Sequence, residues 1–114
     1  MPQTRIMIYT ASRVEATKFY TQTLGFEILR EFDDGIMIDL GSSILEIFDA
    51  DIENKTNPAF CKLSLEVENV ETFWDKLKDH QEIVFSLRHN IWGDTSFSIL
   101  SPDGSTLIFF TKDK

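Results

Sequence analysis

Residues 15–29, Glu-Ala-Thr-Lys-Phe-Tyr-Thr-Gln-Thr-Leu-Gly-Phe-Glu-Ile-Leu, decide how this 114-residue chain folds. Ala16, Phe19, Tyr20 and Leu24 recur at helical spacing and form one apolar stripe, so the segment predicts a helix over 13–24. Just upstream, Ser12-Arg13-Val14-Glu15 has the spacing of a capping box. In that arrangement the Ser12 hydroxyl and the Glu15 carboxylate each accept a backbone N–H left free at the helix start. Gly25 suits the left-handed position that closes a helix, and Phe26 returns the chain to the core. A helix that stops and turns at once into a strand needs a sheet to cover, and the flanking segments supply it.

Upstream, Thr4-Arg-Ile-Met-Ile-Tyr-Thr10 alternates as a strand. Ile6 and Ile8 share the face under the helix, and Arg5, Met7 and Tyr9 share the other. Downstream, a strand over 26–32 runs into the turn Asp33-Asp34-Gly35, followed by strands over about 36–40 and 44–48 with Gly41-Ser42-Ser43 between them. The first fifty residues therefore read as one β-α-β-β-β unit. Residues 49–59 are polar, contain Pro58 and have no periodicity, which marks a connector. Their Asp49-x-Asp51-x-Glu53 pattern lacks the glycine and the final glutamate of a calcium loop.

The second half repeats the plan. Lys62-Leu-Ser-Leu-Glu-Val67 alternates as a strand. Asn69 is placed to cap a helix to about Lys78, with the stripe Val70, Phe73, Trp74 and Leu77. Strands over about 82–88, 95–100 and 105–111 follow, with Ser101-Pro-Asp-Gly104 as a type I turn between the last two. His89-Asn-Ile-Trp-Gly-Asp94 reads as the one long irregular loop of this half. The repeat lies in register rather than identity: 57 positions separate Arg5 from Lys62, 56 separate Val14 from Val70, and 54 separate Phe19-Tyr20 from Phe73-Trp74.

The expected fold class is thus α+β. Two βαβββ modules, about 1–50 and 60–112, form a curved mixed sheet as an open half-barrel cleft, with helices on its outer face, in a single domain. Alternation places Arg5, Met7, Tyr9, Ile44, Glu46, Phe48, Lys62, Ser64, Glu66, Thr106, Ile108 and Phe110 on the inner wall. That wall is too apolar to face only water, so a ligand, a partner subunit or both should cover it.

Composition narrows the classes of function. The net charge of −8 disfavours nucleic acid, which needs a basic surface. No run approaches the roughly 18 apolar residues of a membrane span, and the start has no signal-peptide pattern. The single cysteine, Cys61, forms no internal disulfide and suits a reducing compartment, so a cytoplasmic protein is expected. A nucleophile pair of Cys61 with His89 is disfavoured, because a thiol at a strand start is ordinarily a small buried group. The five glycines are scattered, so no phosphate-cradling loop is present.

Phe19-Tyr20-x-x-x-Leu24-Gly25-Phe26 and Trp92-Gly93…Ser101-Pro102-Asp103-Gly104, in this order on a paired β-α-β-β-β plan, resemble the vicinal oxygen chelate superfamily. This superfamily includes glyoxalase I, bleomycin-resistance proteins and extradiol dioxygenases. Ser101 departs from the Asp that usually opens the last motif. The resemblance spans essentially the whole chain and implies a homodimer. It also implies, in the metal-dependent members, a divalent ion held by His, Gln or Glu from four strands. Register from the motifs puts those four positions on Arg5, Glu46, Lys62 and Ile108.

Only Glu46 is a possible ligand. Arginine cannot be deprotonated in a protein, and lysine normally carries its charge, so neither offers a lone pair. A dication about 4 Å from either would feel repulsion of about 8 kcal/mol at an effective dielectric near 20. The chain is therefore expected to hold no metal there and to need no cofactor. Arg5, Glu46 and Lys62 have two readings: an internal ion-pair cluster, or a site with spare cationic donors for a ligand's carboxylate, phosphate or enolate.

The expected ligand-binding set is Arg5, Tyr9, Glu46, Phe48, Lys62, Trp92 and Ile108. Glu46 is the best single candidate for catalysis. Trp92 has two readings: a lid over the cleft or stacking partner for a flat ligand, or an anchor in the core or a dimer interface. His89 reads as a surface histidine. The leading functional reading is a metal-free small-molecule-binding protein of the glyoxalase/bleomycin-resistance type that sequesters an antibiotic or metabolite. The others are a lyase, isomerase or dioxygenase of the same superfamily, and a structural domain with a closed cleft.

Overall fold

The computed structural model describes residues 4–50, 62–102 and 104–113. The chain divides into two compact units, Met1–Phe60 and Cys61–Lys114. Most of the expected connector over 49–59, with Asp51, Glu53 and also Cys61, lies outside the described residues.

The first unit runs β1 (Thr4–Thr10), α1 (Arg13–Lys18), a π-helical turn (Phe19–Thr23), β2 (Glu27–Glu31), β3 (Gly35–Asp39) and β4 (Ser43–Asp49). The strand order is β1-β4-β3-β2, with β1 parallel to β4 and the other pairs antiparallel. Ile8, Ile38, Leu45 and Ile47 are buried on one face of the sheet, and Ala16, Phe19, Tyr20 and Leu24 are buried from the helical segment. The apolar stripe on both elements is what joins them.

Two local expectations are corrected. The capping box does not form: the Ser12 side chain makes no capping bond, and its amide instead donates to Thr10 Oγ1 at 3.1 Å. Thr10 sits two residues upstream and satisfies the Ser12 amide from the strand side. The helix also does not continue regularly to residue 24. Thr21 Oγ1 donates to the Thr17 carbonyl at 2.7 Å, competing for the acceptor its own amide would use in an α-helix. The next turn widens, with Leu24 N–H donating to Phe19 O and Phe26 N–H to Tyr20 O, both at 3.0 Å. Gly25, at φ +83°, then reverses the chain into β2.

The second unit runs β5 (Lys62–Glu66), α2 (Val70–Leu77), β6 (Glu82–Asn90), β7 (Asp94–Leu100) and β8 (Thr106–Lys112), in sheet order β5-β8-β7-β6. Here the helix start follows expectation: Asn69 Oδ1 accepts from Glu71 N–H at 3.1 Å and Thr72 N–H at 3.3 Å. The Thr111 hydroxyl accepts from Val70 N–H and donates to the Val67 carbonyl, tying the helix start to β8. Leu63, Val70, Leu77, Phe97, Ile99, Leu107 and Phe109 form the core. Phe109 stacks on Phe97 and Phe73 at centroid separations of 5.2 and 5.4 Å.

The expected irregular loop over 89–94 is corrected as well. β6 continues through Asn90, and only Ile91-Trp92-Gly93 connects it to β7. Asn90 pairs with Asp94 in the ladder, and Asn90 Nδ2 donates to Asp94 Oδ1 (2.7 Å) and Ser96 Oγ (2.8 Å). Gly93, at φ +102°, supplies the left-handed residue of this short hairpin connection. Polar His89 and Asn90 disguise the strand, although each side chain also bonds across it, His89 to Thr95 and Asn90 to Asp94 and Ser96. The Ser101–Gly104 turn forms as expected, with Gly104 N–H donating to Ser101 O at 3.0 Å.

Of the edge strands, β2 and β6 are bulged. Ile28 and Arg30 of β2 oppose the neighbours Ile38 and Met37, and Ile83 and Phe85 of β6 likewise oppose Ile99 and Ser98. β6 has a second bulge, where Phe85 and Arg88, three residues apart, oppose Ser98 and Ser96, two apart.

Candidate functional site

On the sheet face away from α1, register aligns Arg5, Met7 and Tyr9 of β1 with Ile44, Glu46 and Phe48 of β4. Arg5 Nη1 lies 3.7 Å from Glu46 Oε1; the arginine side chain is 61% exposed, the carboxylate's only 11%. Glu46 is thus held close to a solvent-wetted cation, an arrangement that screening keeps weak. Tyr9 and Phe48 stack with centroids 5.6 Å apart. The Phe48 ring lies against Gly35, where an added Cβ would come within 2.5 Å of Phe48 Cδ1. The aromatic pair fills this part of the face.

The corresponding face of the second unit is open. A pocket of about 280 Å³ is lined by Ser64 (β5), Ile108 and Phe110 (β8), Asp94 and Ser96 (β7), Phe85 and Arg88 (β6), and Trp92 from the hairpin turn. The register explains its shape. Ser64 pairs with Ile108, Ile108 with Ser98, and Phe110 with Ser96, so small hydroxyl residues flank two large apolar ones. The second bulge of β6 brings Arg88 round to the face of Phe85, and Arg88 Cζ lies over that ring at 3.9 Å. Trp92 is 69% exposed at the rim.

The polar groups of the pocket are ordered. Ser96 Oγ and Asp94 Oδ1 both accept from Asn90 Nδ2, which leaves the Ser96 O–H proton without an acceptor among the described residues. Buried Ser98 Oγ, next on the same face of β7, has no hydrogen-bond partner among them either. Ser98 lies outside the pocket lining, so the free donor here is Ser96. A hydroxyl donor beside apolar side chains suits a ligand that offers both an acceptor and a hydrophobic body.

Of the residues expected from sequence, Arg5, Tyr9, Glu46 and Phe48 share the first unit's face, and Trp92 and Ile108 line the second unit's pocket. Lys62 is exposed on β5, on the same side as Ser64 but outside the pocket lining. Ser64 and Phe110 follow from alternation, whereas Phe85 and Arg88 do not, because a bulge breaks the two-residue period between them. His89 is a strand residue with its side chain 82% exposed. Its Nδ1 lies 2.7 Å from Thr95 Oγ1, which also bonds to Asp113 Oδ1 at 3.1 Å, so it braces the strand ends.

A second concavity, about 260 Å³, lies on the helix side of the first sheet between α1 and Phe32. Arg13 spans it, donating to the Phe32 carbonyl at 3.4 Å and reaching Asp49 at 3.6 Å. Its lining mixes the charged Arg13, Lys18 and Glu31 with Val14, Phe32 and Ile36, and Arg13 is already engaged by Phe32 and Asp49.

The four positions at which the resemblance implies metal ligands do not fit a divalent ion. Glu46 is the one anionic oxygen donor among Arg5, Glu46, Lys62 and Ile108, and it already faces the Arg5 guanidinium. Among the described residues no group of three or more His, Cys, Asp or Glu could hold a metal ion. No helix among them is long and apolar enough to cross a membrane.

Two β-α-β-β-β units, each with its helix on one sheet face, define the architecture of the vicinal oxygen chelate proteins. Residues 3–109 match the family model of the Glyoxalase/Bleomycin resistance protein/Dioxygenase superfamily, and the chain belongs to that superfamily. Solved structures of similar fold include a glyoxalase/bleomycin resistance protein/dioxygenase from Nocardioides (16% identity, TM-score 0.80, covering 100% of this chain and 85% of that one). Lactoylglutathione lyase from Agrobacterium tumefaciens is similar at 15% identity and TM-score 0.78, covering 96% and 92%. TioX from Micromonospora sp. ML1 is similar at 14% identity and TM-score 0.83, covering 98% and 99%. At such identities the likeness is one of fold. No curated protein gives a significant sequence match.

Proposed function

We propose that this chain is a metal-free small-molecule-binding protein whose ligand sits in the second unit's pocket. The observation that carries this reading is the pocket itself, about 280 Å³, with Phe85, Ile108, Phe110 and Trp92 around the hydroxyls of Ser64 and Ser96. Its size lies just below the usual range of ligand sites, about 300–1,000 Å³, so the ligand is compact. The lack of a fitting donor set at Arg5, Glu46, Lys62 and Ile108 favours binding without a metal. Sequestration of an antibiotic or metabolite fits this chemistry better than the metal-assisted lyase or dioxygenase reactions known in the superfamily.

A thermal-shift screen against compact aromatic, cationic and anionic compounds and against divalent metals tests the reading, since a bound ligand raises Tm by mass action. The expected result is stabilisation by an organic compound, none by Zn, Ni, Fe or Mn, and loss of the ligand's effect in Ile108→Trp, which fills the pocket. Stabilisation by one of these metals, or a hit that Ile108→Trp leaves unchanged, would count against it.

A further inference from the structure

We infer that the second unit's pocket selects a planar aromatic anion and that Arg88 binds its anionic group. The inference rests on the pocket being a ligand site and goes on to name the ligand class. Among the described residues no carboxylate lies within ion-pair distance of Arg88, although the chain carries a net charge of −8. Its guanidinium is instead positioned by the Phe85 ring, 3.9 Å from Cζ. An arginine stacked by its face keeps its N–H edge available, and that edge is the one that grips a carboxylate with two parallel bonds.

The pocket's remaining donors agree. The Ser96 O–H is unspent, because Asn90 Nδ2 donates to Ser96 Oγ. Asp94, the pocket's one carboxylate, carries a charge that opposes an anion, but its Oδ1 is held by the same Asn90 amide at 2.7 Å and it forms no ion pair with Arg88 among the described residues. The site therefore offers a cation and a hydroxyl donor beside Ile108 and Phe110, with Trp92 at the rim to cover a flat face. A cavity of about 150 Å³ holds a benzene ring, so the larger space here suits a one- or two-ring body.

Calorimetric titration of the full chain with 2-naphthoate, 2-naphthalenemethanol and 2-naphthylmethylammonium, three bodies of one shape and three charges, tests the inference. The expected order of affinity is anion, then alcohol, then cation. Arg88→Gln should weaken 2-naphthoate by about tenfold or more and leave the alcohol unchanged, and Arg88→Lys, a point charge without the fork, should fall between. Equal binding of anion and alcohol, or an unchanged 2-naphthoate Kd in Arg88→Gln, would overturn the charge preference while leaving the pocket a ligand site. Failure of all three probes to bind would overturn the aromatic-anion class, while the thermal-shift screen with Ile108→Trp decides separately whether the pocket is a ligand site. Should Arg88→Gln unfold, the order of the three probes on the unmodified protein still decides.

Discussion

The two units present the same ladder row in opposite states. In the first, Tyr9, Phe48 and Gly35 stand side by side across β1, β4 and β3; in the second, Glu66, Phe110 and Ser96 stand across β5, β8 and β7. Each row has a phenylalanine in the middle. In the first unit it stacks on a tyrosine and lies on a glycine, so the ring covers the sheet. In the second, a glutamate replaces the tyrosine and a serine the glycine, and the ring becomes one wall of a pocket. The neighbours of the phenylalanine, more than the strand plan, decide whether this face is packing or site.

The largest expected effect breaks the filled row. Gly35→Val puts a side chain into the Phe48 ring and should cost about 1–3 kcal/mol through overpacking, read by urea unfolding. Ser96→Val, in the matching row of the open face, should cost less; equal costs would mean that the two rows are equally packed. The helix starts give the next contrast. Asn69→Ala should lose about 1 kcal/mol, because it removes the acceptor of two amides, while Ser12→Ala should stay within a few tenths. Similar losses at both would restore the capping box at Ser12. The smallest effect belongs to Ser98, whose hydroxyl is buried without a partner among the described residues. Ser98→Ala should leave stability unchanged or raise it by up to about 1 kcal/mol. A clear loss would show that the hydroxyl has a partner in solution.

The strand plan was legible because alternation survives wherever one face is buried: β1 runs over Thr4–Thr10 as its residues predict, and Asn69 caps α2 as its type suggests. The Tyr9 and Phe48 placement follows from the same period. Three things were hidden. Ser12 and Glu15 have the spacing of a capping box, but Thr10 satisfies the Ser12 amide, a competition that spacing does not reveal. Thr21 widens the first helix through its own hydroxyl. Above all, Phe85 and Arg88 are three apart, a spacing that alternation assigns to opposite faces, and only the bulge unites them. The pocket's cation was therefore the residue least visible in advance.

The first bulge, at Leu29 in β2 and Val84 in β6, concerns how the molecule behaves in crowded solution. Both strands are sheet edges, and both carry exposed apolar residues, with Ile28, Leu29 and Val84 among them. A straight edge of that composition would template a further strand from another copy. One extra residue disturbs the even row of amide donors and carbonyl acceptors that such a strand would need. The paired irregularity makes β2 and β6 poorer templates for edge-to-edge pairing than straight strands of the same composition.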